Sequence, residues 1–303
     1  MIKSVTITNY LNESIKIELT RPEKSGFVIQ NIEGLGPAKA TINTTEVSLN
    51  DGSIYNSSKL DNRNITFDLL FYQTDTETIE DIRQKSYKYF PIKKKMSITV
   101  ETDNNTLTAD GYVESNEPEI FSETEGSMIS IICPDPYFYE LYDDYTVFSG
   151  VEPLFEFPFE NESVDEPLLE MGMLQIKREN TVFYEGYGEV GVSIYIHALG
   201  EATNLTIINT GTREKLIINT NKLKQMTGHP IIAGDNITIH THKGNKSITL
   251  LRDGVTTNIL NCREKGSKWF TLVKGDNIFA YTAETGATNL QFTVVNRNAY
   301  DGV

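Results

Sequence analysis

The sequence of 303 residues is poor in the residue types that form disulfides or bind metals, with two cysteines and four histidines. Cys133 and Cys262 lie far apart, which excludes a disulfide scaffold and a cysteine-rich zinc site. No stretch approaches the ~20 apolar residues of a membrane-spanning helix. The N-terminus lacks the apolar core and cleavage site of a signal peptide. We therefore expect no membrane insertion.

Basic residues are also in the minority, since 27 Lys and Arg stand against 42 Asp and Glu, a formal net charge of -15. An acidic surface repels a phosphate backbone, so we expect no sequence-specific binding of nucleic acid. The same charge is compatible with a wall past which DNA slides without sticking, and equally with ordinary solubility.

The residues that are present favour strands. Apolar and polar residues alternate with a period of two in many segments, most clearly in residues 65–71, 96–100 and 190–196. This period places the apolar side chains on one face of a sheet. Turn signals such as Asp51-Gly52 and Asp253-Gly254 separate the runs. The pattern predicts a mainly β protein.

One segment has a helical pattern instead. Thr74 and Glu77 have the spacing of a capping box, and Ile79 and Ile82 follow at helical spacing before Pro91. We predict a helix over about 76–89, and it is the only helix that the sequence predicts. Its expected role is to cover an open face or end of the first sheet.

The chain is long for a single hydrophobic core, so we expect two domains. A segment rich in proline and aromatic residues follows Cys133, and an acidic stretch with further prolines follows it. We place the boundary there and predict domains at residues 1–143 and 144–303. The regular alternation after residue 190 indicates an antiparallel β-sandwich in the second domain.

Candidate chemical sites are few. His240 and His242 share one strand face, but a solvated pair is more common than a metal site. The segment from Gly34 to Gly36 lacks the lysine and helix of a phosphate loop and indicates a turn or bulge. Cys133 fits a small buried hydrophobic residue. We therefore expect no catalytic residues, no cofactor and no metal, and thus not an enzyme.

An ordered set of short motifs resembles the distal tail protein family of bacteriophages with long, non-contractile tails. The motifs are IEGLGP at 32–37, NDGS at 50–53, RNI at 63–65, Arg83, FP at 90–91, GYVESNEP at 111–118, GSMISIICPDPY at 126–137 and NRNAYDGV at 296–303. Each motif is weak by itself, whereas the ordered set, which spans nearly the whole chain, is quite specific.

The resemblance implies a fold and a function. It implies a tail-tube-like N-terminal β-sandwich with a single α-helix and a galectin-like C-terminal β-sandwich. Members of the family form a hexameric ring at the tail tip of the virion, assembled in the host cytoplasm. The ring joins the tail tube protein to the tail-associated lysin or tail-fibre hub protein, and DNA passes through it. These are the partners that the resemblance implies for this chain.

Some family members also grip receptor-binding proteins with a long arm inserted in the second domain. The longest candidate segments here are residues 160–188 and 220–234, which are too short for such an arm. Receptor-binding proteins therefore remain a partner that the family resemblance suggests and that no segment of this chain supports.

Two polar segments are candidates for the contact between protomers. Residues 43–63 form either an exposed hairpin or an extension that embraces the neighbouring protomer, and we favour the extension because long loops in compact domains are usually functional. Lys93, Lys94 and Lys95 form either a solvated loop or part of the protomer boundary. The predicted interface residues are Asn50, Asp51, Gly52, Ser53, Tyr55, Arg63, Lys93, Lys94 and Lys95.

Two other functions compete with the structural one. A carbohydrate-binding tail module for adsorption to the host needs exposed aromatic rings, for which Trp269, Tyr281 and Tyr184 are the candidates. For Trp269 a position in the core is the more common alternative. A polysaccharide-degrading enzyme needs two carboxylates that face each other across a groove.

Overall fold

The computed structural model describes residues 1–46, 51–122, 124–153 and 172–303. The chain forms two compact units. The first unit comprises Met1–Tyr142 together with Ala299–Val303, and the second comprises Asp143–Asn298. Both units consist mainly of antiparallel strands, so the predicted mainly β fold is confirmed.

The residues of the first unit that the structure describes form eleven strands and one α-helix. They are β1 (Ile2–Thr8), β2 (Ser14–Glu18), β3 (Phe27–Glu33), β4 (Ala40–Glu46), β5 (Ser53–Leu60), β6 (Arg63–Phe71), α1 (Ile79–Tyr89), β7 (Lys95–Thr102), β8 (Thr106–Glu119), β9 (Gly126–Cys133), β10 (Phe138–Glu140) and β23 (Ala299–Tyr300). Nine strands form one sheet, with the path β2-β1-β7-β8-β9-β6-β3 and with β10 pairing both β8 and β23. The remaining two, β4 and β5, form a sheet of their own.

The nine-stranded sheet surrounds a single hydrophobic core. Strand β6 shows why, because Ile65, Phe67 and Leu69 are fully buried while the residues between them face outward. Buried residues of β1, β2, β7, β8 and β9 join the same cluster, and Ile82 of α1 completes it. The helix thus packs on the core of the first sheet, as the sequence predicts.

Helix α1 begins three residues later than predicted. Its N-cap is Thr78, whose hydroxyl accepts from the Asp81 amide while the Asp81 carboxylate accepts from the Thr78 amide. The Thr74–Glu77 pair forms a turn that precedes the helix, in which the Glu77 amide donates to the Thr74 hydroxyl at 3.0 Å. Two overlapping capping patterns lie in this segment, and the one with Asp81 is used.

The described part of the second unit, without residues 154–171, contains twelve strands and one α-helix. They are β11 (Asp144–Val147), β12 (Ser149–Pro153), β13 (Gly172–Ile176), β14 (Glu179–Tyr184), β15 (Ser193–Ala198), β16 (Leu205–Asn209), β17 (Glu214–Ile218), α2 (Thr220–Thr227), β18 (Asn236–His240), β19 (Ser247–Arg252), β20 (Val255–Asn258), β21 (Gly275–Thr282) and β22 (Leu290–Asn296). A six-stranded sheet has the order β11-β22-β15-β18-β19-β20, and a four-stranded sheet has the order β14-β21-β16-β17. Strands β12 and β13 pair with each other.

The two larger sheets of the second unit pack face to face. Tyr281 of β21 stacks on Phe292 of β22, with ring centroids 4.9 Å apart, and Phe148 contacts both rings. This arrangement is the antiparallel sandwich that the alternation after residue 190 predicts.

Helix α2 corrects the prediction of a single helix. Asn219 caps its N-terminus through the Lys222 amide, and Gly228 ends it in the left-handed conformation with φ 84°. Within the helix, Leu223 is the one buried apolar side chain. A helix this short shows almost no apolar period, so the caps were its only signal in the sequence. No helix in the described parts of the chain is long and apolar enough to cross a membrane.

The division between the units falls between Tyr142 and Asp143, but the last five residues lie in the first unit. Our prediction had placed them in the second domain. Strand β23 pairs with β10, and the Val303 amide donates to the Leu35 carbonyl at 3.0 Å. Backbone pairing, which alternation alone does not reveal, returns the C-terminus to the first unit.

Candidate protomer interface

The hairpin of β4 and β5 is the most exposed regular structure of the first unit. Within the described residues, these two strands pair only with each other. All eight residues of β5 are exposed, as are six of the seven in β4. A two-stranded hairpin is at best marginally stable in water by itself. The hairpin therefore needs stabilising contacts at its stem or with another molecule.

Polar contacts at the stem and between the strands hold the hairpin together. At the stem, the Asp61 amide donates to the Lys39 carbonyl at 2.8 Å, and the Thr41 hydroxyl donates to the Asp61 carboxylate. Farther along, the Asn43 side-chain amide donates to the Ser57 hydroxyl at 3.0 Å. The Asn43–Ser57 bond is exposed and the Thr41–Asp61 bond is partly buried, and each such bond adds only about 0.5–1.5 kcal/mol of net stability.

A β-bulge decides which side chains share a face of the hairpin. Asn43 lies opposite Ser57, but the next residue, Thr44, lies opposite Tyr55. Asn56 is therefore the extra residue, with no residue of β4 opposite it. Without the extra residue, Tyr55 would lie on the opposite face, because one residue of shift reverses the side-chain direction. The bulge therefore places Tyr55 on the face that also carries Ile42 and Leu60.

We call Ile42, Tyr55 and Leu60 the apolar face of the hairpin. These side chains are 63%, 61% and 38% exposed, respectively. The same face also carries Ala40, Thr44, Glu46, Ser53 and Ser58, whereas the opposite face carries Ile54 as its one large apolar side chain, together with Thr41, Asn43, Thr45, Ser57 and Lys59. An exposed apolar row on an otherwise polar hairpin is typical of a surface that binds another protein.

Four of the predicted interface residues lie on this hairpin. Asp51 and Gly52 precede β5, with Gly52 at φ 90°, while Ser53 and Tyr55 belong to the strand. Asn50 lies outside the described residues. Sequence reasoning missed Ile42 and Leu60, which appear in the sequence only as isolated apolar residues in a polar stretch. The bulge that aligns them with Tyr55 leaves no signal in the sequence.

The three predicted lysines lie apart from the hairpin, next to β7. Lys93 has φ 64°, and the Lys94 ammonium lies 5.3 Å from the centre of the Tyr10 ring. Lys95 forms an ion pair with Asp110 at 2.9 Å, and this hydrogen bond raises the pKa of Lys95. The contacts of Lys94 and Lys95 are thus with Tyr10 and Asp110, neither of which belongs to the hairpin of β4 and β5. Their place at a protomer boundary stays a prediction.

Arg63 differs from the other predicted interface residues because it is buried, with 2% of its surface exposed. Burial lowers the pKa of its guanidinium, and the Phe138 ring lies 4.4 Å below it. Its N–H groups donate to four backbone carbonyls, those of Gly34, Gly36, Pro136 and Asp301. The side chain is used entirely inside the first unit, so we remove Arg63 from the proposed interface.

The contacts of Arg63 also show what the segment from Gly34 to Gly36 does. Gly34 has φ 82°, and a Cβ atom there would lie 1.9 Å from the Asn64 carbonyl oxygen. The predicted turn is therefore present. Its carbonyls face the Arg63 guanidinium, whereas a phosphate loop directs N–H groups at its ligand.

The aromatic residues proposed as sugar platforms are not on the surface, with one exception. Tyr184 and Tyr281 are buried, and their hydroxyls donate to the carbonyls of Gly188 and Leu290. Both are therefore excluded as platforms. Trp269 is half-buried rather than in the core, and the cations of Lys246 and Arg263 lie 5.9 and 5.2 Å from its ring.

The remaining chemical candidates have structural partners. The Ser193 hydroxyl lies 2.8 Å from His240 Nδ1 and 3.2 Å from His242 Nε2. In the described part of the chain, no group of three or more histidine, cysteine or acidic side chains could hold a metal ion. Cys133 is fully buried, and burial raises the pKa of its thiol to about 11.

Comparison with known families matches one segment of the chain. Residues 16–145 match the phage tail protein RIFT-related domain. The matched segment contains the hairpin and, in full, six of the nine strands of the large sheet, namely β3, β6, β7, β8, β9 and β10. No curated protein sequence matches the chain.

Solved structures with the same fold come from phage tails. The chain is similar to the Dit protein of phage SPP1, described as a paradigm of the hub adsorption apparatus in phages that infect Gram-positive bacteria. The two share 13% identity and a TM-score of 0.65 over 97% of this chain and 98% of that chain.

The chain is also similar to a protein of the phage P2 baseplate in its activated conformation with Ca, at 10% identity and a TM-score of 0.53 over 98% of both chains. In the corresponding phage p2 baseplate structure with Sr, the values are 12% and 0.52 over 97% of both chains. The resemblance to the distal tail protein family is thereby confirmed. These similarities support a structural protein of a phage tail or baseplate.

Proposed function

We propose that this chain is the distal tail protein of a phage, a structural protein without catalytic activity or a cofactor. Six copies form a ring at the tip of the virion tail through their first units, after synthesis in the host cytoplasm. The ring joins the tail tube protein to the tail-associated lysin or tail-fibre hub protein. The observation that carries this proposal is the exposed hairpin with its apolar face.

The hairpin has little support from its own chain and presents exposed apolar side chains to which a partner can bind. It leaves Ile42 and Tyr55 more than 60% exposed and has no sheet behind it within the described residues. Fully burying one such side chain is worth about 1.5–3 kcal/mol. A contact between this face and a different surface of the next copy is a head-to-tail contact, and such contacts close into a ring when the rotation permits.

The charge of the ring suits a channel for DNA. Six copies of a chain with a charge of -15 carry on the order of -90 in total. Phosphates are repelled by an acidic wall, so DNA passes without being held. Lys93 and Lys94 are exposed and are placed in this proposal where neighbouring acidic protomers meet. We expect no binding of short double-stranded DNA in a gel-shift assay at physiological salt, and tight binding would contradict an acidic channel.

The ring is tested by two matched substitutions on opposite faces of the hairpin. Ile42 and Ile54 are 63% and 60% exposed, but only Ile42 lies on the apolar face. Mass in solution is measured by light scattering for the wild type, Ile42→Ser and Ile54→Ser, each alone and with tail tube protein. We expect a hexamer in the wild type and in Ile54→Ser, and smaller species in Ile42→Ser. Equal masses for the two variants, or a wild type that stays monomeric with tube protein, would contradict the proposal.

A further inference from the structure

The outer face of the six-stranded sheet in the second unit is free of charged residues. Along its six strands, all of which the structure describes, no outward position is Asp, Glu, Lys or Arg. The outward residues are Tyr145, Val147, Ser193, Tyr195, His197, Asn236, Thr238, His240, Ser247, Thr249, Leu251, Thr256, Asn258, Gln291, Thr293 and Val295. The chain as a whole is 23% charged, so this composition is unusual.

The other sheet of the same unit gives the contrast. Its outer face carries Glu179, Asp276 and Lys215, as expected for a solvated surface of an acidic protein. The two faces belong to one sandwich and were exposed to the same demands of solubility. The lack of charge is therefore a property of the six-stranded face and needs its own explanation.

A cavity of about 160 Å³ lies in the middle of the uncharged face. It is floored by three neighbouring strands, β22, β15 and β18, and Ser149 lies at its border. The outward side chains that line it are Tyr195, His197, Asn236, Thr238, Gln291 and Thr293. The cavity is open to solvent on one side, and its size is similar to that of one sugar ring.

The lining groups fit a ligand rich in hydroxyls. Amides, hydroxyls and imidazoles both donate and accept hydrogen bonds, as the hydroxyls of a sugar do. His197 Nδ1 and Asn236 Oδ1 lie 2.9 Å apart and form a solvent-exposed hydrogen bond at the cavity wall. Tyr195 is 43% exposed and offers an aromatic ring against which the apolar face of a sugar packs.

The absence of charge narrows the ligand further. A polyanion such as DNA or a phosphate-bearing polymer binds through cations, and this face has none to offer. A basic partner would be drawn to carboxylates, which are also absent here. A tight protein interface is anchored by several large apolar or arginine side chains at its centre. On this face the exposed larger apolar side chains Tyr145, Val147 and Leu251 lie on β11 and β19, outside the cavity, and Tyr195 is the one aromatic side chain that lines the cavity.

We propose that this cavity, with Tyr195 and Gln291 at its wall, binds one ring of a neutral glycan. The proposal needs only a single copy of the chain, so it stands or falls apart from the ring described above. One shallow site of this size binds weakly. If six copies are held in a ring, six such sites act together on a repetitive polysaccharide, and the combined binding is stronger than that of one site.

The test is saturation-transfer NMR on the intact chain with a panel of neutral sugars: lactose, maltotriose, chitotriose and a rhamnose trisaccharide. Sialyllactose serves as the charged counterpart of lactose. We expect transfer to at least one neutral sugar, with Kd on the order of 1 mM, and weaker or no transfer to sialyllactose. Lack of transfer to every neutral sugar at about 10 mM would overturn the proposal, as would binding of sialyllactose alone.

The site is located with variants of its wall. Tyr195→Ala and Gln291→Ala are each expected to weaken sugar binding by about tenfold or more, as the loss of a central anchor does. The matched control is Tyr112→Ala, because Tyr112 is exposed to a similar extent, 46%, on a strand of the first unit. Circular dichroism confirms folding of each variant. Unchanged binding in both wall variants, or an equal loss in the control, would contradict the proposed site.

Discussion

Strands β5 and β6 lie two residues apart in the sequence and have opposite relations to the rest of the molecule. Strand β6 pairs with β3 and β9 and buries every second side chain in the core of the first unit. Among the residues that the structure describes, strand β5 pairs with β4 alone, and it buries none of its own side chains. The position of β6 follows from the chain's own core, whereas β5 has little to hold it except its hairpin partner. In the proposed ring, β6 serves folding and β5 serves assembly.

The largest expected difference is in the free energy of unfolding when one aromatic side chain is removed from each strand. Phe67 of β6 is fully buried, with its ring 6.1 Å from that of Phe90. We expect Phe67→Ala to lower the free energy of unfolding by about 3–5 kcal/mol. Tyr55→Ala on β5 should change it by less than about 0.5 kcal/mol, because Tyr55 is exposed in the monomer. Urea unfolding of dilute protein measures the stability of both variants. Equal losses of stability in Phe67→Ala and Tyr55→Ala would contradict the different roles of β6 and β5.

The next effect concerns Arg63, where β6 begins. Arg63→Met keeps much of the volume but leaves four backbone carbonyls without their charged donor. We expect a loss of about 2–4 kcal/mol in the free energy of unfolding, since hydrogen bonds from charged groups are worth more than neutral ones. Early proteolysis near the C-terminus should accompany it, because the Asp301 carbonyl is one of the four. Wild-type stability in the variant would show that the contacts add nothing.

Cys133 opposite Arg63 in the sheet gives a smaller, pH-dependent effect. Its pKa is raised from the usual 9.0 to about 11, chiefly by burial, so the folded state favours the neutral thiol. This stabilisation is complete below pH 9 and is lost as the pH rises toward 11. Relative to Cys133→Ala, the wild type should lose about 1 kcal/mol between pH 8 and pH 10. Parallel pH profiles of unfolding for the two proteins would contradict this assignment.

The smallest effect on folding is expected on the hairpin itself. Ile42→Ser and Ile54→Ser should each change the unfolding free energy of the monomer by less than about 0.5 kcal/mol. Both side chains are largely exposed, so each substitution removes few contacts within the chain. Urea unfolding at low protein concentration measures this. A large loss in Ile42→Ser would mean that the apolar face supports the fold of its own unit, and the two strands would then not divide the roles of folding and assembly.

Much of the fold follows from the sequence because buried strands leave a period of two. The alternation in β6, β7 and β15 is read directly from their apolar residues, and the sheet that buries them is the expected result. Helix α2 and the return of β23 to the first unit are not predictable in this way. Helix α2 depends on two caps around a mostly polar segment. The place of β23 depends on its pairing with β10, which lies far from it in the sequence.

The candidate interface was only partly readable for a related reason. An exposed hairpin has no buried face, so its polar composition indicates where it lies but not which side chains act together. The bulge at Asn56 sets that grouping, and it depends on the register of the pairing. Arg63 shows the opposite error, since a charged residue next to a polar segment suggests the surface, whereas its guanidinium is buried against four carbonyls.

The most direct test of assembly through the hairpin is a cryo-EM reconstruction of the chain bound to tail tube protein. The account predicts a six-fold ring in which the hairpin of each protomer lies on the next protomer, with Ile42, Tyr55 and Leu60 buried in that contact. A ring in which these three side chains stay exposed to solvent, or a tail tip without a ring of this chain, would contradict it.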